Sequence, residues 1–313
     1  MIGYDTLHLF VGLTRANQAD LAAVANLLQN EGVRKDTGEV WSSGSVGNLR
    51  VSVGGAGMSV KGSISAFYGE NNSLLIGKQA IQEAMEKMSD TIHVKMADAK
   101  VTRLDVCANF ILKNETKAYL DVLGSLTYFQ RVQATHNTLY YHRGREKLQT
   151  LCFYNKEMEC KETHKELPKV YSDNGNMLRY EARFNGRVAK QFKRAEVTAS
   201  TLADTKFFND VVSKWGELYF NIVKVYNAIS MNRIKTVSEA KDYIFAVALA
   251  NMGAQDTAKI LNEMKAKCVF GDRKYYSRLR TAIEDVNNKF AISDNNDLAR
   301  ELDDEVRTIL AYK

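Results

Sequence analysis

The chain has 313 residues, of which 45% are hydrophobic, and this composition is typical of a globular protein with a sizeable core. It has no apolar run near the roughly 18 residues of a membrane span and no N-terminal secretory signal, so we expect a cytoplasmic protein without a membrane partner. The four cysteines show no CxxC pair and no histidine at zinc-finger spacing, which argues against a disulfide framework or structural zinc and predicts reduced thiols.

The net charge of +6 is unevenly distributed along the chain. Residues 131–194 contain fourteen Lys or Arg against seven Asp or Glu, so this segment alone carries a charge of +7. Such clustering favours an acidic partner such as nucleic acid, although a solvated charged surface has the same composition.

The first half of the chain mixes strand and helix signals. Apolar runs between Gly and Ser residues predict strands at 6–12, 49–53 and 58–67. Apolar residues at helical spacing predict helices at 18–30 and 78–88. This mixture indicates an α+β fold.

Three later segments alternate apolar and polar residues with a period of two, as half-buried strands do. They cover residues 101–110, 151–156 and 178–184. If they are neighbours in one antiparallel sheet, their polar sides share one face. The side chains predicted on that face are Arg103, Asp105, Cys107, Asn109, Cys152, Tyr154, Lys156, Arg179, Glu181 and Arg183.

These side chains suit the cleavage of a phosphodiester bond. Carboxylates bind Mg²⁺ or Mn²⁺, which polarises a phosphate and stabilises developing negative charge. A phenol can attack that phosphate, and a nearby cation such as Lys156 favours its phenolate form. Arginines hold flanking phosphates. Of the fifteen tyrosines, Tyr154 is on the polar side of its strand, whereas Tyr180 is on the apolar side and is predicted to be structural.

Helical periodicity dominates from about residue 205. We therefore predict a catalytic domain at 1–205 and a helical domain at 206–313, which serves in DNA recognition or dimerisation. Within it, residues 243–267 have the pattern of two helices joined by a turn at 251–254, and this pattern fits either a helix-turn-helix or an ordinary helical hairpin.

The three strands resemble those of phage and plasmid rolling-circle replication initiators, especially the filamentous-phage gene-two type. VTRLDVCANF (101–110) is similar to the family's Arg-x-Asp strand, TLCFYNKEME (150–159) to its Tyr-x-Lys strand, and MLRYEARF (177–184) to its Arg-aromatic-Glu-x-Arg strand. The resemblance covers about residues 1–190. It implies an antiparallel-sheet nickase domain with a palm-like or RRM-like fold.

The resemblance also implies an activity and its residues. The family nicks one strand of its origin, becomes linked to the 5′ phosphate through tyrosine, and leaves a 3′ hydroxyl that primes synthesis. Tyr154 matches that tyrosine, Lys156 matches the lysine two residues later, and Asp105 and Glu181 match the acidic positions expected to hold Mg²⁺ or Mn²⁺. The chain lacks the His-hydrophobic-His metal motif of better-known relatives, which favours a carboxylate-rich site. Asp5, His8 and Glu159 are further candidates for the site, although residues at strand ends are more often only solvated. His142 is a candidate proton shuttle, although a surface histidine in a basic loop fits the sequence better.

The expected partner is origin DNA, both double-stranded and extruded single-stranded, together with a host helicase and polymerase and a second copy of the chain in a homodimer. The basic side chains expected to contact DNA are Arg103, Arg143, Arg145, Lys147, Arg179 and Arg183. Three alternatives stay open: a conjugal relaxase, a non-cleaving sequence-specific DNA-binding regulator, and a metal-dependent phosphodiesterase that uses water in place of tyrosine.

Overall fold

The computed structural model describes residues 2–15, 18–33, 38, 40–69, 75–164, 176–224, 234–289 and 297–311. The sequence also predicts a polar surface loop at 161–176 that contains Pro168, and most of it lies outside these residues. None of the described helices combines the length and the apolar character needed to cross a membrane.

The described strands form a ten-stranded antiparallel sheet and a two-stranded ribbon. The large sheet has the order β2-β3-β4-β5-β1-β6-β11-β10-β9-β8, and β12 pairs with β7 in the ribbon. The strands are β1 (Ile2–Gly12), β2 (Asn30–Val33), β3 (Val40–Val46), β4 (Leu49–Gly54), β5 (Gly57–Ser63), β6 (Lys100–Ile111), β7 (Leu123–Leu126), β8 (Phe129–Thr135), β9 (Thr138–Arg143), β10 (Gln149–Asn155), β11 (Met177–Asn185) and β12 (Ile222–Lys224).

Helices connect the strands and dominate the C-terminal third, so the predicted α+β class with C-terminal helices is confirmed. The described helices are α1 (Gln18–Leu27), α2 (Ile64–Gly69), α3 (Lys78–Ile92), α4 (Thr116–Val122), α5 (Lys156–Glu162), α6 (Val188–Gln191), α7 (Thr205–Phe220), α8 (Val237–Ala266), α9 (Arg273–Lys289) and α10 (Asp297–Ala311), with a 3-10 helix at Ser200–Ala203. The strand predicted at 58–67 ends at Ser63, and helix α2 begins at the next residue, Ile64.

The main hydrophobic core lies on one face of the large sheet. Alternate residues of the strands point into it, and α1, α3, α7 and α10 pack over them. Tyr180 of β11 stacks on Phe153 of β10 and on Trp215 of α7, with ring centroids 4.4 and 4.8 Å apart. Tyr180 therefore has the structural position predicted for it. The opposite face of the same strands is left for polar side chains.

The hydrophobic core extends past the predicted domain boundary at residue 205. Helix α7 begins at Thr205, and its Trp215 is fully buried in the same cluster as the sheet, which also includes Leu302 of α10. By contrast, α8 and α9 pair through a separate small cluster that contains Ala246 and Val286. The division at 205 stays a prediction, but α7 and α10 belong to the core of the sheet.

The turn predicted at 251–254 is wrong, and with it both the helix-turn-helix and the helical hairpin that the pattern at 243–267 allowed. Residues 237–266 form one continuous helix, α8, which begins with a capping box between Thr236 and Glu239. A helical glycine such as Gly253 costs only about 1 kcal/mol relative to alanine, so a glycine within a long helix does not by itself produce a turn.

Candidate active site on the polar face of the sheet

Strands β6, β11 and β10 are adjacent and antiparallel in that order, as the alternation predicts. Directly paired residues of such strands share a face. Glu181 of β11 lies opposite Cys107 of β6 and Cys152 of β10, and Arg179 lies opposite Tyr154. The polar face therefore brings the predicted nucleophile, carboxylates and arginines together.

Tyr154 is held by Glu181. Its phenol donates a hydrogen bond to Glu181 Oε1 with an O···O distance of 2.7 Å. Burial raises the pKa of Tyr154 well above its ordinary value, and the neighbouring Glu181 carboxylate raises it further. The phenol is therefore protonated and oriented in this structure.

Glu181 accepts from two directions. Its second oxygen, Oε2, accepts hydrogen bonds from Arg183 Nε and Nη2 at 3.0 and 2.7 Å. Burial acts to raise the pKa of Glu181, but the guanidinium groups of Arg183 and Arg179 and the hydrogen bond from Tyr154 outweigh it and lower this pKa. Glu181 is therefore an ionised carboxylate in a site nearly closed to water.

Asp105 forms a separate ion pair on the same face. Arg103 donates Nε to Asp105 Oδ1 and Nη2 to Asp105 Oδ2, at 2.8 and 2.5 Å, while Arg183 Nε lies 3.9 Å from Oδ2. Burial raises the pKa of Asp105 to about 6, although Arg103 opposes this shift. Both carboxylate oxygens of this predicted metal ligand are thus engaged by arginine.

Asp5 occupies the position next to Glu181 that Asp105 was expected to fill. Potential ligand atoms of Asp5, Cys107 and Glu181 all lie within 4.8 Å of one another. Strand β1 carries an irregularity between Tyr4 and Leu7, so the register shifts beside Asp5. The sequence indicates Asp5 only as a further candidate, because the strand is predicted to begin at residue 6, whereas β1 begins at Ile2 and includes Asp5.

The cluster fits Mg²⁺ or Mn²⁺ through its two carboxylates. Both ions prefer hard oxygen ligands and commonly keep water or phosphate in the remaining positions. Burial raises the pKa of the Cys107 thiol well above its ordinary value, so this group is protonated and is a poor ligand for a hard cation. The donor set therefore favours Asp5 and Glu181 as the residues that would hold the ion, with Glu181 exchanging one of its hydrogen bonds with Tyr154 or Arg183 for the ion.

Lys156 is not on the strand face where the alternation placed it. Strand β10 ends at Asn155, whose side chain accepts from the backbone N–H of Met158 and caps α5. Lys156 is the first residue of α5, is fully buried, and pairs with Glu159. Burial and the Glu181 carboxylate raise the pKa of Asp5, and the charges of Arg179 and Lys156 only oppose this rise. For Tyr154, whose pKa burial also raises, the opposing cation is Arg179 and not Lys156.

The predicted DNA-binding residues fall into three groups. Arg103 and Arg183 keep 26% of their side chains exposed at the rim of the site. Arg179 is fully buried, donates to Asn109 Oδ1 at 2.7 Å and lies 3.8 Å from Asp5, so DNA phosphate does not reach it in this conformation. The third group, Arg143, Arg145 and Lys147, is exposed at the turn between β9 and β10.

His142 lies on β9 at the side of this face. Its Nδ1 is 3.1 Å from Thr150 Oγ1, and its ring stacks on Tyr140 with centroids 5.4 Å apart. Burial lowers the pKa of His142, and so do Lys147 and Arg183. The histidine is therefore neutral near pH 7. Tyr140, which the guanidinium of Arg183 covers at 5.8 Å, is an additional aromatic group at this rim.

The comparison with known families gives a clear assignment. Residues 4–215 match the Phage_CRI family model, which describes the N-terminal region of the gene-two-type replication-associated protein. The chain belongs to this family. The match includes every strand of the candidate site, and it confirms the resemblance to gene-two-type replication initiators.

The Phage_CRI-family chain is also similar to solved structures at low identity. A rolling circle replication initiator protein from Geobacillus stearothermophilus matches with 11% identity and a TM-score of 0.34, over 71% of this chain and 84% of that chain. TBP of Methanococcus jannaschii matches with 11% identity and a TM-score of 0.28, over 61% and 91% respectively. No curated protein matches the sequence.

Proposed function

We propose that this Phage_CRI-family protein is a rolling-circle replication initiator that nicks one strand of its origin DNA with Tyr154. The observation that carries the proposal is the 2.7 Å hydrogen bond from the Tyr154 phenol to Glu181, a buried and ionised carboxylate. A phenol in this contact has an acceptor for its proton within reach, which a nucleophile of high pKa requires.

The reaction is a transesterification, in which the scissile phosphate passes from the 3′ oxygen of one nucleotide to the oxygen of Tyr154. Tyr154 Oη attacks the scissile phosphorus, the new O–P bond forms, and the bond from phosphorus to the 3′ oxygen breaks. As the phenolic oxygen bonds to phosphorus, its O–H group becomes far more acidic, and the proton passes to Glu181. The 3′ oxygen takes a proton from water and leaves as a free hydroxyl, while the 5′ phosphate stays joined to Tyr154. Glu181 then returns the phenolic proton to water, so no net proton is gained or lost.

The surrounding residues prepare the site for this transfer. Arg183 holds Glu181 through two hydrogen bonds, and Arg179 lies in the buried network beside Asp5. When bound by Asp5 and Glu181, Mg²⁺ or Mn²⁺ would supply positive charge that stabilises the phenolate and the phosphate oxygens. Asp105 remains a predicted ligand, but it would first have to exchange its two bonds to Arg103.

The substrate follows from the exposed cations. Arg103 and Arg183 at the rim, with Arg143, Arg145 and Lys147 at the neighbouring turn, would bind phosphates on either side of the cut. We infer that the origin is recognised as duplex and cut as an extruded single strand. The 3′ hydroxyl would then serve a host polymerase behind a host helicase, with the initiator acting as a monomer or homodimer.

The decisive test is covalent capture. The protein is incubated with Mn²⁺ and a pool of single-stranded oligonucleotides that are random in sequence and labelled at the 3′ end, and denaturing gels reveal any protein–DNA adduct. We expect an adduct whose modified peptide contains Tyr154 and whose DNA sequence gives the cleavage site. Tyr154→Phe should form none. Tyr140→Phe, which removes a second phenol from the same face, should form it normally.

Other outcomes separate the alternatives. Cleavage without an adduct that persists in Tyr154→Phe would establish a phosphodiesterase that uses water. Binding without cleavage by the wild-type protein would establish a regulator. A conjugal relaxase shares the tyrosine chemistry, so it would give the same adduct and differ in the DNA that is captured.

A further inference from the structure

Strands β1, β5 and β4 continue the polar face of the sheet away from the active site. Arg103 of β6 lies opposite His8, His8 lies opposite Lys61, and Lys61 lies opposite Arg50. Directly paired side chains share a face, so these four residues form one row, which we call the cation row. With strands about 4.8 Å apart, the row extends about 14 Å from the edge of the active site.

The outer end of the cation row carries positive charge that no described carboxylate neutralises. Arg50 and Lys61 are exposed and face each other directly, an arrangement that is unfavourable for like charges. Neither forms an ion pair with any carboxylate that the structure describes. Between Lys61 and Arg103, burial and the two cations lower the pKa of His8 to about 4, so His8 adds no charge at neutral pH.

A groove of about 480 Å³ runs alongside the outer end of the cation row. Its floor is made of small hydroxyl side chains, because Ser43, Ser52 and Ser59 lie directly opposite one another on β3, β4 and β5. Phe10 of β1 follows Ser59 in the same line, and Trp41 of β3 also lines the groove. The described lining contains cations and no carboxylate.

Trp41 is positioned as a surface for stacking. A side chain at Gly32 would meet the indole, with the nearest ring atom only 2.6 Å from an added Cβ. The indole therefore lies against the glycine backbone of β2, and 37% of the residue remains exposed. A large exposed aromatic group over a floor of serines is suited to a planar ligand.

We propose that the cation row and the Trp41 groove together bind single-stranded DNA that leads to or from the scissile phosphate. Phosphates would lie along Arg103, Lys61 and Arg50, and unpaired bases would stack against Trp41. This inference rests on the proposed function, because only a cut at Tyr154 makes the DNA on this surface continuous with the scissile phosphate. Alternating cations and aromatic groups are the combination that binds single strands without sequence preference, whereas a duplex keeps its bases stacked on one another.

The experiment measures binding of oligodeoxythymidylate in EDTA, so that nicking plays no part, and follows tryptophan fluorescence. The only other tryptophan, Trp215, is fully buried on the opposite face and provides a constant background. We expect quenching of Trp41 on binding. Arg50→Ala/Lys61→Ala should weaken binding at least tenfold and reduce the slope of log affinity against log salt by about 1.4. Trp41→Ala should weaken binding about tenfold and abolish the quenching.

The matched control is Lys95→Ala/Lys117→Ala, which removes the same charge from two exposed ion pairs elsewhere and should bind like wild type. Circular dichroism and melting curves confirm that each variant is folded. Equal weakening by the two double variants would overturn the proposal. A duplex or an acidic peptide that competes better than the single strand would overturn it as well.

The outcome is separable from that of the proposed function. Binding with the expected losses in a protein that forms no tyrosine adduct supports the single-strand surface and rejects only the nicking chemistry. If the adduct forms normally but the Trp41, Arg50 and Lys61 variants bind single-stranded DNA as tightly as wild type, this surface is rejected and the nicking chemistry is supported.

Discussion

The two sides of strand β11 are buried by different means. Towards the helices, Tyr180 and Phe184 are covered by aromatic and aliphatic side chains. Towards the polar face, Arg179 and Glu181 are covered almost as completely, but by one another and by neighbouring charged groups. The two sides are therefore equally buried but differently stabilised. Apolar packing, which has no preferred direction, holds one side, and hydrogen bonds between charged partners hold the other.

This difference matters for function. Apolar packing tolerates substitutions of similar volume, whereas in a buried charge network the effect of removing one member depends on whether its charge is stabilised by its partners, as that of Glu181 is, or opposed by burial, as that of Asp105 is. In exchange, electrostatic interactions in a site closed to water are stronger than in solvent. The polar side of β11 is therefore where small chemical changes should have the largest effects.

The largest effect is expected from Glu181→Ala, which leaves Arg179 and Arg183 without their shared carboxylate. Loss of one partner from a buried ion pair should lower the free energy of unfolding by about 4 kcal/mol, as measured by urea denaturation. Glu146→Ala, at an exposed pair with Arg187, is the control and should unfold like wild type. A small loss for Glu181→Ala would mean that water already enters the network.

Asp105→Asn should stabilise the metal-free protein at neutral pH. The folded pKa of Asp105 is raised from 3.8 to about 6, so its contribution to stability is fully present below pH 3.8 and is lost as the pH rises through 6. The variant should therefore exceed wild type by up to about 3 kcal/mol at pH 7 and match it near pH 3.5. Denaturation curves at several pH values test this, with exposed Asp98→Asn as control. Parallel curves for wild type and Asp105→Asn would contradict the prediction.

Asp5→Asn should weaken Mn²⁺ binding at least tenfold, because it removes one of two carboxylate ligands from the cluster. Electron paramagnetic resonance of Mn²⁺ with the Tyr154→Phe protein measures this without any cleavage. Asp105→Asn should have the smaller effect, since Arg103 occupies both oxygens of Asp105. The reverse ranking would restore Asp105 as the principal ligand.

The smallest effect is expected on the apolar side. Tyr180→Phe keeps the stacked rings and removes only the hydrogen bond from its hydroxyl to the backbone oxygen of Trp215. The free energy of unfolding should fall by about 1 kcal/mol, and tyrosine adduct formation should be unchanged. A loss of adduct formation in this variant would show that the two sides of β11 are coupled.

Much of the fold could be predicted from the sequence because period-two alternation survives in β6, β10 and β11. The same pattern indicated which side of each strand is polar, and the structure places the three strands side by side. The sequence predicts a turn within the long helix α8 because Asn251 and Gly253 resemble a turn signal, but the residues on both sides continue one helix. Helical propensity does not show which helices pack against the sheet. Helix α7 does so, although it lies beyond the predicted boundary at residue 205.

The sequence predicts the positions of site residues on regular strands, but not those of residues at a strand end or beside a register shift. Tyr154 and Glu181 are on regular strands, and their contact agrees with the alternation. Lys156 follows a strand that stops at Asn155, where a helix cap replaces the two-residue period. Asp5 lies beside a register shift. Burial of Arg179 depends on the whole network, which no single strand reveals.

The pairing of β1 with β6, and of β6 with β11, has a consequence for how the protein is made. Asp5 belongs to the first strand of the chain and Glu181 to a strand formed after most of the sheet has been synthesised. Contacts between such distant segments close large loops and tend to form late in folding. The carboxylate pair therefore exists only in a chain whose sheet is complete, and a nascent or partly unfolded chain lacks the assembled site.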